Sequence, residues 1–370
     1  MDQKAKNRLK ALLREGVREK IYPGAVLLVA FRGKIVFFQE VGRRSLVLPA
    51  CPVRKDTIFD LASLTKPLAT TLAVMKCVDN GTLTLDQPLE NLLPAPLPGD
   101  KRHLTPRWIL AHCSGFAAWK AFYPELVRHP SKERKKLLRK WVMESPLAYS
   151  PGKKSLYSDL GFMILEWVVE ECTGSPLHEF INQNFLSPLS LGRMFLDDGN
   201  TRHRRPPSHF AATENCSWRK RIIHGTVHDE NAYALGGYSG HAGLFGTAAD
   251  IYTITMLLRD HYLGERQDYL STETVRTFFM RQNLVKGSTW ALGWDTPSPR
   301  ESSSGMFFSE KSVGHLGYTG VSLWLDLEQD VLVIFLSNRI HPSRRNEKIR
   351  AFRPLLHNTI MREGLLHGRN

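Results

Sequence analysis

The feature that most constrains the fold of this chain is the position of its strand-like segments, which lie near both ends. Two apolar runs, GAVLLVAF and KIVFFQEVG, flank Arg32 and Gly33 and are typical of a β-hairpin. Near the other end, SLWLDLEQDVLVIFLSN predicts two more strands that turn around Glu328 to Asp330, followed by a helical pattern from about Arg345 to Glu363. We therefore expect one antiparallel sheet assembled from both chain ends.

The segment between those ends has a helical character. From roughly Leu83 to Asp260 it carries patterns of helical period, such as Lys132 to Met143 and Gly161 to Cys172, interrupted by proline and glycine loops. We therefore expect an α+β protein. Residues 1–82 and 261–370 would form an α/β sandwich with the antiparallel sheet, residues 83–260 a mostly helical insert, and the functional site would lie at their junction.

Composition excludes several classes of function. The 370 residues carry a formal net charge of +14, but no nucleic-acid-binding module accompanies it, so we expect a solvated basic surface and no nucleic-acid partner. The five cysteines form no CxxC pair, which favours reduced thiols over a disulfide framework or a metal site. The start of the chain lacks the apolar stretch of a signal peptide, and the run Gly24–Phe31 is far shorter than the roughly 20 residues of a membrane span. These observations predict a cytoplasmic protein without a membrane span.

One serine stands at the predicted start of a buried helix. The segment FDLASLTKPLATTLAVMKCVDNG has an apolar helical period that begins near Ser63 and stops at Asn80 and Gly81, and Pro67 is tolerated only in an opening turn. Ser63 and Lys66 then share one face of the helix. A serine hydroxyl needs a nearby base and a stabilised oxyanion to act as a nucleophile. A desolvated lysine can supply the base, and a helix N-terminus supplies oriented N–H groups.

The same S-x-x-K spacing occurs elsewhere and is weak evidence alone. Ser150 to Lys153 and Ser217 to Lys220 also match it, but the first lies in a Pro-Gly turn and the second in a basic stretch without apolar period. For Ser63 and Lys66, the alternative interpretation is a helix-capping serine and a surface lysine.

Two further motifs follow this pair along the chain. YSD (residues 157–159) lies in PGKKSLYSDLGF, and HLG (residues 315–317) lies in VGHLGYTG. With Ser63 and Lys66, these motifs make the chain resemble the serine β-lactamase and penicillin-binding-protein superfamily, most closely its class C-like branch. The segments LDQPLENLLP, ILAHCSGF, GHAGLFGTAADI and LSNRIHP also resemble this family, so that the likeness spans roughly residues 20 to 345.

The resemblance implies a fold and a set of roles. The fold would be that of the β-lactamases and transpeptidases, and Ser63 would be the acylated nucleophile. Lys66 and the Tyr157 hydroxyl would share proton transfer to and from it. The backbone N–H groups of Ser63 and Tyr318 would form the oxyanion hole, and Gly317 would let the substrate lie close to its strand. The resemblance implies no cofactor and no metal.

The chain departs from the family pattern in ways that bear on the substrate. His315 replaces the usual lysine and Leu316 the usual threonine, which removes a permanent cation and a hydroxyl that hold a substrate carboxylate. Affinity for penicillin-like anions should therefore fall, which favours esterase- or peptidase-like activity. Asp159 replaces the usual asparagine, and close to Lys66 its charge would raise the pKa of that lysine. Either Asp159 points elsewhere or Tyr157 carries more of the proton transfer, and we hypothesise the second.

Other polar residues have plainer interpretations. Tyr157 alone is more often a core or interface aromatic, and His315 alone a surface histidine. His112 and His241 are expected to be structural or to line a pocket. In an extended run, the adjacent side chains of His228 to Glu230 point to opposite sides, which disfavours a metal site.

Three hypotheses of function follow. The first is a serine hydrolase that acts through an acyl-enzyme on Ser63, as an esterase or a D-amino-acid peptidase. The second, with the same chemistry, is a true β-lactamase or D,D-carboxypeptidase. Both would take a small-molecule ester, lactam or D-amino-acid peptide as substrate. The third is a catalytically silent, penicillin-binding-like scaffold that binds an anionic partner through its basic surface.

Overall fold

An antiparallel sheet of five strands lies at the centre of the computed structural model, which describes residues 1–47, 51–94, 96–199 and 205–366. The strands, in chain order, are β1 (Gly24–Phe31), β2 (Lys34–Gly42), β3 (Phe59–Asp60), β4 (Phe195–Leu196), β5 (Asn215–Cys216), β6 (Arg221–Ile222), β7 (Leu244–Gly246), β8 (Ser312–Leu316), β9 (Ser322–Asp326) and β10 (Val331–Ser337). The central sheet has the order β2-β1-β10-β9-β8. The predicted α+β class, with a sheet built from both chain ends, is confirmed.

The two inner strands explain why the chain ends must meet. β1 and β10 pair antiparallel along their whole length, and nearly all of their residues are buried, as expected of continuous apolar runs. The predicted hairpin between β1 and β2 is also confirmed. Arg32 and Gly33 both have positive φ, 48° and 71°, which suits the two-residue turns that join twisted antiparallel strands.

Helices cover both faces of the sheet. They are α1 (Gln3–Arg18), α2 (Leu72–Asp79), α3 (Pro106–Leu110), α4 (Tyr123–Leu126), α5 (Ser131–Glu144), α6 (Asp159–Thr173), α7 (Leu177–Ile181), α8 (Glu230–Ala234), α9 (Ala248–Leu263), α10 (Thr272–Phe279) and α11 (Ile349–Leu366). On one face α1 and α11 pack over alternate strand residues such as Leu27 and Val333. On the other face α9 and the central helices pack over residues such as Leu28 and Ile334.

The middle of the chain is mostly helical, as predicted. The patterns Lys132 to Met143 and Gly161 to Cys172 fall within α5 and α6. Two small sheets, β3-β7-β4 and β5-β6, lie outside the sequence-based expectation. The domain boundaries near residues 83 and 260 stay a prediction. The second one falls inside α9, and this helix packs on β1 and β10. None of the helices in the described ranges combines the length and the apolarity that a bilayer crossing requires.

Candidate active site

Ser63 lies in a short turn that follows β3. The chain runs through a 3-10 turn, Ala62–Leu64, and a π-helical turn, Lys66–Thr71, into α2. The predicted helix is therefore present, but its opening turns are not α-helical. Ala62 has a positive φ of 47°, a strained conformation for a residue with a Cβ, and its N–H donates to Asp60 Oδ1 at 2.9 Å.

Lys66 is fully buried, and its amine faces three oxygens. Nζ lies 3.2 Å from Ser63 Oγ, 2.6 Å from Asp159 Oδ1 and 3.3 Å from the main-chain oxygen of His241. Ser63 itself is half-buried. The structure thus brings together Ser63, Lys66 and Asp159, and the interpretation in which Asp159 points elsewhere is wrong.

The charge of Asp159 decides the protonation of Lys66. Burial by itself lowers the pKa of Lys66, but attraction to Asp159, with a smaller contribution from Tyr157, raises it above its ordinary value. The direction expected from the sequence is confirmed. Lys66 is therefore held as an ammonium ion in the resting protein.

Tyr157 lies against this ammonium group. Lys66 Nζ is 4.7 Å from the centre of the Tyr157 ring. The Tyr157 hydroxyl is enclosed and faces the side chains of Lys66 and Ser63. Burial raises the pKa of Tyr157, the charge of Lys66 offsets part of that rise, and Asp159 adds to it. The phenol is protonated at rest, and Lys66 is placed to stabilise a phenolate.

His112 fixes the segment that carries Tyr157. Its Nδ1 accepts a hydrogen bond from the Ser158 N–H at 3.1 Å, and its ring centre is 4.7 Å from that of Tyr157. Ser158 caps α6, since its Oγ accepts from the Gly161 N–H at 3.2 Å. Burial, and then the charge of Lys66, lower the pKa of His112 well below its ordinary value, so the ring is neutral and can accept. The segment ILAHCSGF was the sequence signal for this role.

The third motif lies on β8, an edge strand of the central sheet. His315 is only 2% exposed, its ring centre is 5.8 Å from that of Tyr157, and its Nδ1–H donates to the Leu316 oxygen at 2.8 Å. Burial, and then the charge of Lys66, lower the pKa of His315 to about 3. His315 is therefore a neutral side chain enclosed behind Tyr157, and it offers substrate no cation.

The residues that follow β8 lie directly against the turn that carries Ser63. A Cβ added to Gly317 would lie 2.7 Å from the main-chain oxygen of Leu61, so this approach requires glycine. The close contact places Tyr318 beside Ser63, and both residues line the same cleft. The structure thus brings the two predicted oxyanion-hole residues to one place.

Asp60 makes hydrogen bonds to three segments around Ser63. Its Oδ1 accepts from the Ala62 N–H, its Oδ2 from the His228 N–H at 2.6 Å, and its main-chain oxygen from Thr319 Oγ1 at 2.7 Å. Burial raises the pKa of Asp60, but both carboxylate oxygens face N–H donors, an arrangement that suits the ionised form. Sequence reasoning missed this residue, although it precedes Ser63 by only three positions.

The cleft above Ser63 has a volume of about 400 Å³. Asp159 and Tyr157 line it, together with Trp119 and Tyr318, which are 47% and 48% exposed. A cleft of this size with exposed aromatic rings can hold a small substrate above the serine.

The segment His228–Glu230 also lines the cleft. Burial lowers the pKa of His241, but its contact with Asp229, 3.0 Å from Nε2 to Oδ1, raises it overall, so the two form an ion pair. Arg344 Nε donates to Glu214 Oε1 at 2.7 Å, and the same guanidinium forms an ion pair with Glu230. No group of three or more histidine, cysteine or acidic side chains in the described ranges is arranged to hold a metal ion. The segment GHAGLFGTAADI was the signal for His241.

Comparison with known proteins places these motifs in a family. A family model described as Beta-lactamase matches residues 9–356. "Putative D-alanyl-D-alanine carboxypeptidase" of Escherichia coli O157:H7 is 33% identical over 350 residues, which cover 86% of this chain and 79% of that protein. "N-acetylmuramyl-L-alanine amidase" of Bacillus subtilis (strain 168) is 31% identical over 350 residues, which cover 86% of this chain and 78% of that protein.

The fold agrees with this match. The solved structure of EstCE1, described as a hydrolase with promiscuous acyltransferase activity, aligns with a TM-score of 0.73 and 21% identity over 95% of this chain and 99% of that one. At that identity the likeness concerns the fold alone. The family model, the two relatives and the three motifs together show that this chain belongs to the Beta-lactamase family.

Proposed function

We propose that this protein is a serine hydrolase that opens an ester or amide bond through an acyl-enzyme on Ser63, as an esterase or a D-amino-acid peptidase. The observation that carries the proposal is the position of the Ser63 hydroxyl. It lies on the wall of a cleft, 3.2 Å from the Lys66 amine, at the opening of a helical segment.

The reaction uses this geometry in two steps. Ser63 Oγ bonds to the substrate carbonyl carbon, the carbonyl electron pair moves to the oxygen, and the Ser63 proton passes to Tyr157 in its phenolate form beside the Lys66 ammonium group. The N–H groups of Ser63 and Tyr318 hold the oxyanion. The bond to the leaving group then breaks, and that group leaves with the proton. Water attacks the acyl group in the same way, which releases the acid and returns a proton to Ser63.

Tyr157 is the group that we assign to proton transfer. Because Asp159 keeps Lys66 protonated, Lys66 cannot take a proton without first releasing one. Its positive charge, however, lowers the cost of a Tyr157 phenolate. Tyr157 is protonated at rest as well, so the active form is the one in which Tyr157 has lost its proton to solvent. In this scheme Lys66 orients Ser63 and stabilises the Tyr157 phenolate, which accepts the Ser63 proton and delivers it to the leaving group.

The neutral protonation state of His315 supports neutral esters or amides as substrates over anionic lactams. A neutral, enclosed imidazole cannot form the charge-assisted hydrogen bond that a lysine would make to a substrate carboxylate. The names of the two relatives concern amide bonds, which supports an amide substrate such as a D-amino-acid peptide. A true β-lactamase or D,D-carboxypeptidase would use the same serine, and a silent scaffold would not use it at all.

Two covalent probes distinguish these functions. The protein is treated with a fluorophosphonate and, separately, with a chromogenic cephalosporin, and the peptide that contains Ser63 is weighed by mass spectrometry. Labelling by the fluorophosphonate alone supports the esterase or peptidase, and labelling by both supports a lactam-processing enzyme. Labelling by neither contradicts the proposal and favours the scaffold. Ser63→Ala is the control, and it should lose all labelling at this peptide.

A further inference from the structure

A buried cation lies behind the segment that contributes Tyr318 to the cleft. Arg353, on α11, is 6% exposed, and its Nη2 donates to the main-chain oxygens of Gly317 at 3.2 Å and Val321 at 3.0 Å. Among the described residues, no carboxylate forms an ion pair with it. Burial, and then the positive charge of Arg339, lower the pKa of Arg353. A buried cation without a counter-charge is costly, so its position calls for an explanation.

The peptide bond that Arg353 contacts is the one that carries the Tyr318 N–H. The Gly317 C=O and the Tyr318 N–H belong to one trans peptide, and the two groups therefore point in opposite directions. The C=O points inward, where it accepts from Arg353 and from the Gly320 N–H at 3.0 Å. The Tyr318 N–H is consequently directed away from Arg353, on the side where Tyr318 lines the cleft with Ser63.

The peptide before Ser63 is supported in a similar way. The Ala62 C=O accepts from Thr65 Oγ1 at 2.6 Å and from the Thr65 N–H, so the Ser63 N–H of the same peptide points away from the helix. Both peptides that offer an N–H to the cleft thus have their carbonyl oxygens bound from behind by a side chain. The two supports differ in charge, because Thr65 is neutral and Arg353 is a cation.

We infer that Arg353 is a positioning residue that polarises the Gly317–Tyr318 peptide, so that the Tyr318 N–H binds the negative oxygen of the transition state more strongly. A donor at a carbonyl oxygen strengthens the N–H of the same amide as a donor, and a cation does so more than a neutral group. The effect grows as negative charge develops on the substrate oxygen, so it acts on the rate of the chemical step more than on substrate binding. This inference rests on the proposed acyl-enzyme chemistry.

Two substitutions separate polarisation from simple support of the loop. Arg353→Met removes both the charge and the donors, whereas Arg353→Gln keeps N–H donors without a charge. His357→Asn is the matched control, because His357 lies one turn further along α11, is equally buried, and donates from Nδ1 to the Ser303 oxygen at 2.9 Å. Thermal unfolding of each variant establishes that it is folded.

The readouts are the rate of Ser63 labelling at saturating fluorophosphonate, the probe concentration that gives half of that rate, and the dissociation constant of phenylboronic acid, which forms a tetrahedral adduct with a serine. In Arg353→Met the saturating rate should fall about 10- to 100-fold and boronate binding should weaken by a similar factor. The half-saturating concentration should change less than about twofold. Arg353→Gln should recover only part of the loss, and His357→Asn should behave as the wild type.

Each remaining outcome contradicts a specific claim. A folded Arg353→Met protein with wild-type labelling and boronate binding overturns the inference. Full recovery in Arg353→Gln also overturns it, because a neutral tether would then suffice. If the wild type itself is not labelled at Ser63, the proposed function fails and the inference fails with it.

Discussion

At the scale of single residues, the site is defined by one carboxylate that sits where the family pattern has an amide. Asp159 forms an ion pair with Lys66 and adds to the burial that raises the pKa of Tyr157. Both candidate proton carriers therefore hold their protons more tightly than they would beside an asparagine. A substitution at this position should shift the pH at which the enzyme becomes active.

Asp159→Asn should move the acidic limb of the pH-rate profile downward by about one unit. Activity rises with pH as Lys66 or Tyr157 loses its proton, and removing the negative charge lowers the pKa of both groups, so the direction is the same for either. The measurement is hydrolysis of a p-nitrophenyl ester between about pH 7 and pH 11, with the uncatalysed hydrolysis subtracted, because both pKa values are raised. Asp250→Asn, in the cap of α9, serves as the control. If the acidic limb lies at the same pH in both variants, the charge of Asp159 does not affect the groups that transfer the proton.

The sequence alone identified the residues that meet at Lys66 but not those that hold them in place. Ser63 and Lys66 could be predicted because their chemistry imposes a spacing and a helix start, whereas Tyr157 could be proposed only because its motif resembles that of the family. Asp60, His112 and the backbone of His241 act through tertiary hydrogen bonds to distant segments, which leave no local period in the sequence. The burial of His315 likewise depends on neighbours that only the fold brings near it.

At the scale of elements, the site depends on close contact between the end of β8 and the turn after β3. Gly317 makes this contact possible, and a hydrogen bond from Thr319 to the main-chain oxygen of Asp60 stabilises it. The long strands and helices were predictable from periodicity. The two-residue strand β3 was not, because it is defined only by pairing with Phe245 and Gly246 far along the chain, and neither were the 3-10 and π-helical turns around Ser63.

Gly317→Ala should damage both activity and stability. The added Cβ would meet the Leu61 oxygen at 2.7 Å and Val321 Cγ2 at 2.3 Å, which pushes the strand end away from the nucleophile turn. We expect a loss of about 1–3 kcal/mol in the free energy of unfolding and about 100-fold in kcat/KM for an ester substrate. Gly192→Ala, where a Cβ meets nothing within 4 Å, should leave both quantities unchanged. Wild-type activity in Gly317→Ala would show that this contact does not set the catalytic geometry.

At the scale of the whole molecule, the sheet separates two hydrophobic cores, and only one of them adjoins the site. One lies between the sheet and the pair α1 and α11, and the other lies between the sheet and the helices that carry the site. Side chains in the first core can therefore stabilise the fold without touching the cleft.

Leu356→Ala should test this separation of stability from activity. Leu356 is fully buried on α11, so its truncation should lower the free energy of unfolding by about 2–5 kcal/mol. At a temperature where the variant is folded, kcat/KM should match the wild type. Leu355→Ala is the matched control, since its neighbour Leu355 is 53% exposed and should cost less than about 0.5 kcal/mol. A large drop in kcat/KM for folded Leu356→Ala would show that the two cores are coupled.

The pairing of β1 with β10 also sets an order of events during synthesis. On the ribosome, β1 emerges long before β10, the strand that pairs with its inner edge from Ala25 to Ser337 in the observed register. The oxyanion side of the cleft, Gly317 to Thr319, arrives in the same late stretch. In the proposed mechanism, a nascent chain therefore carries Ser63 long before Ser63 can act on a substrate, and hydrolysis begins only after β8, β9 and β10 have completed the sheet.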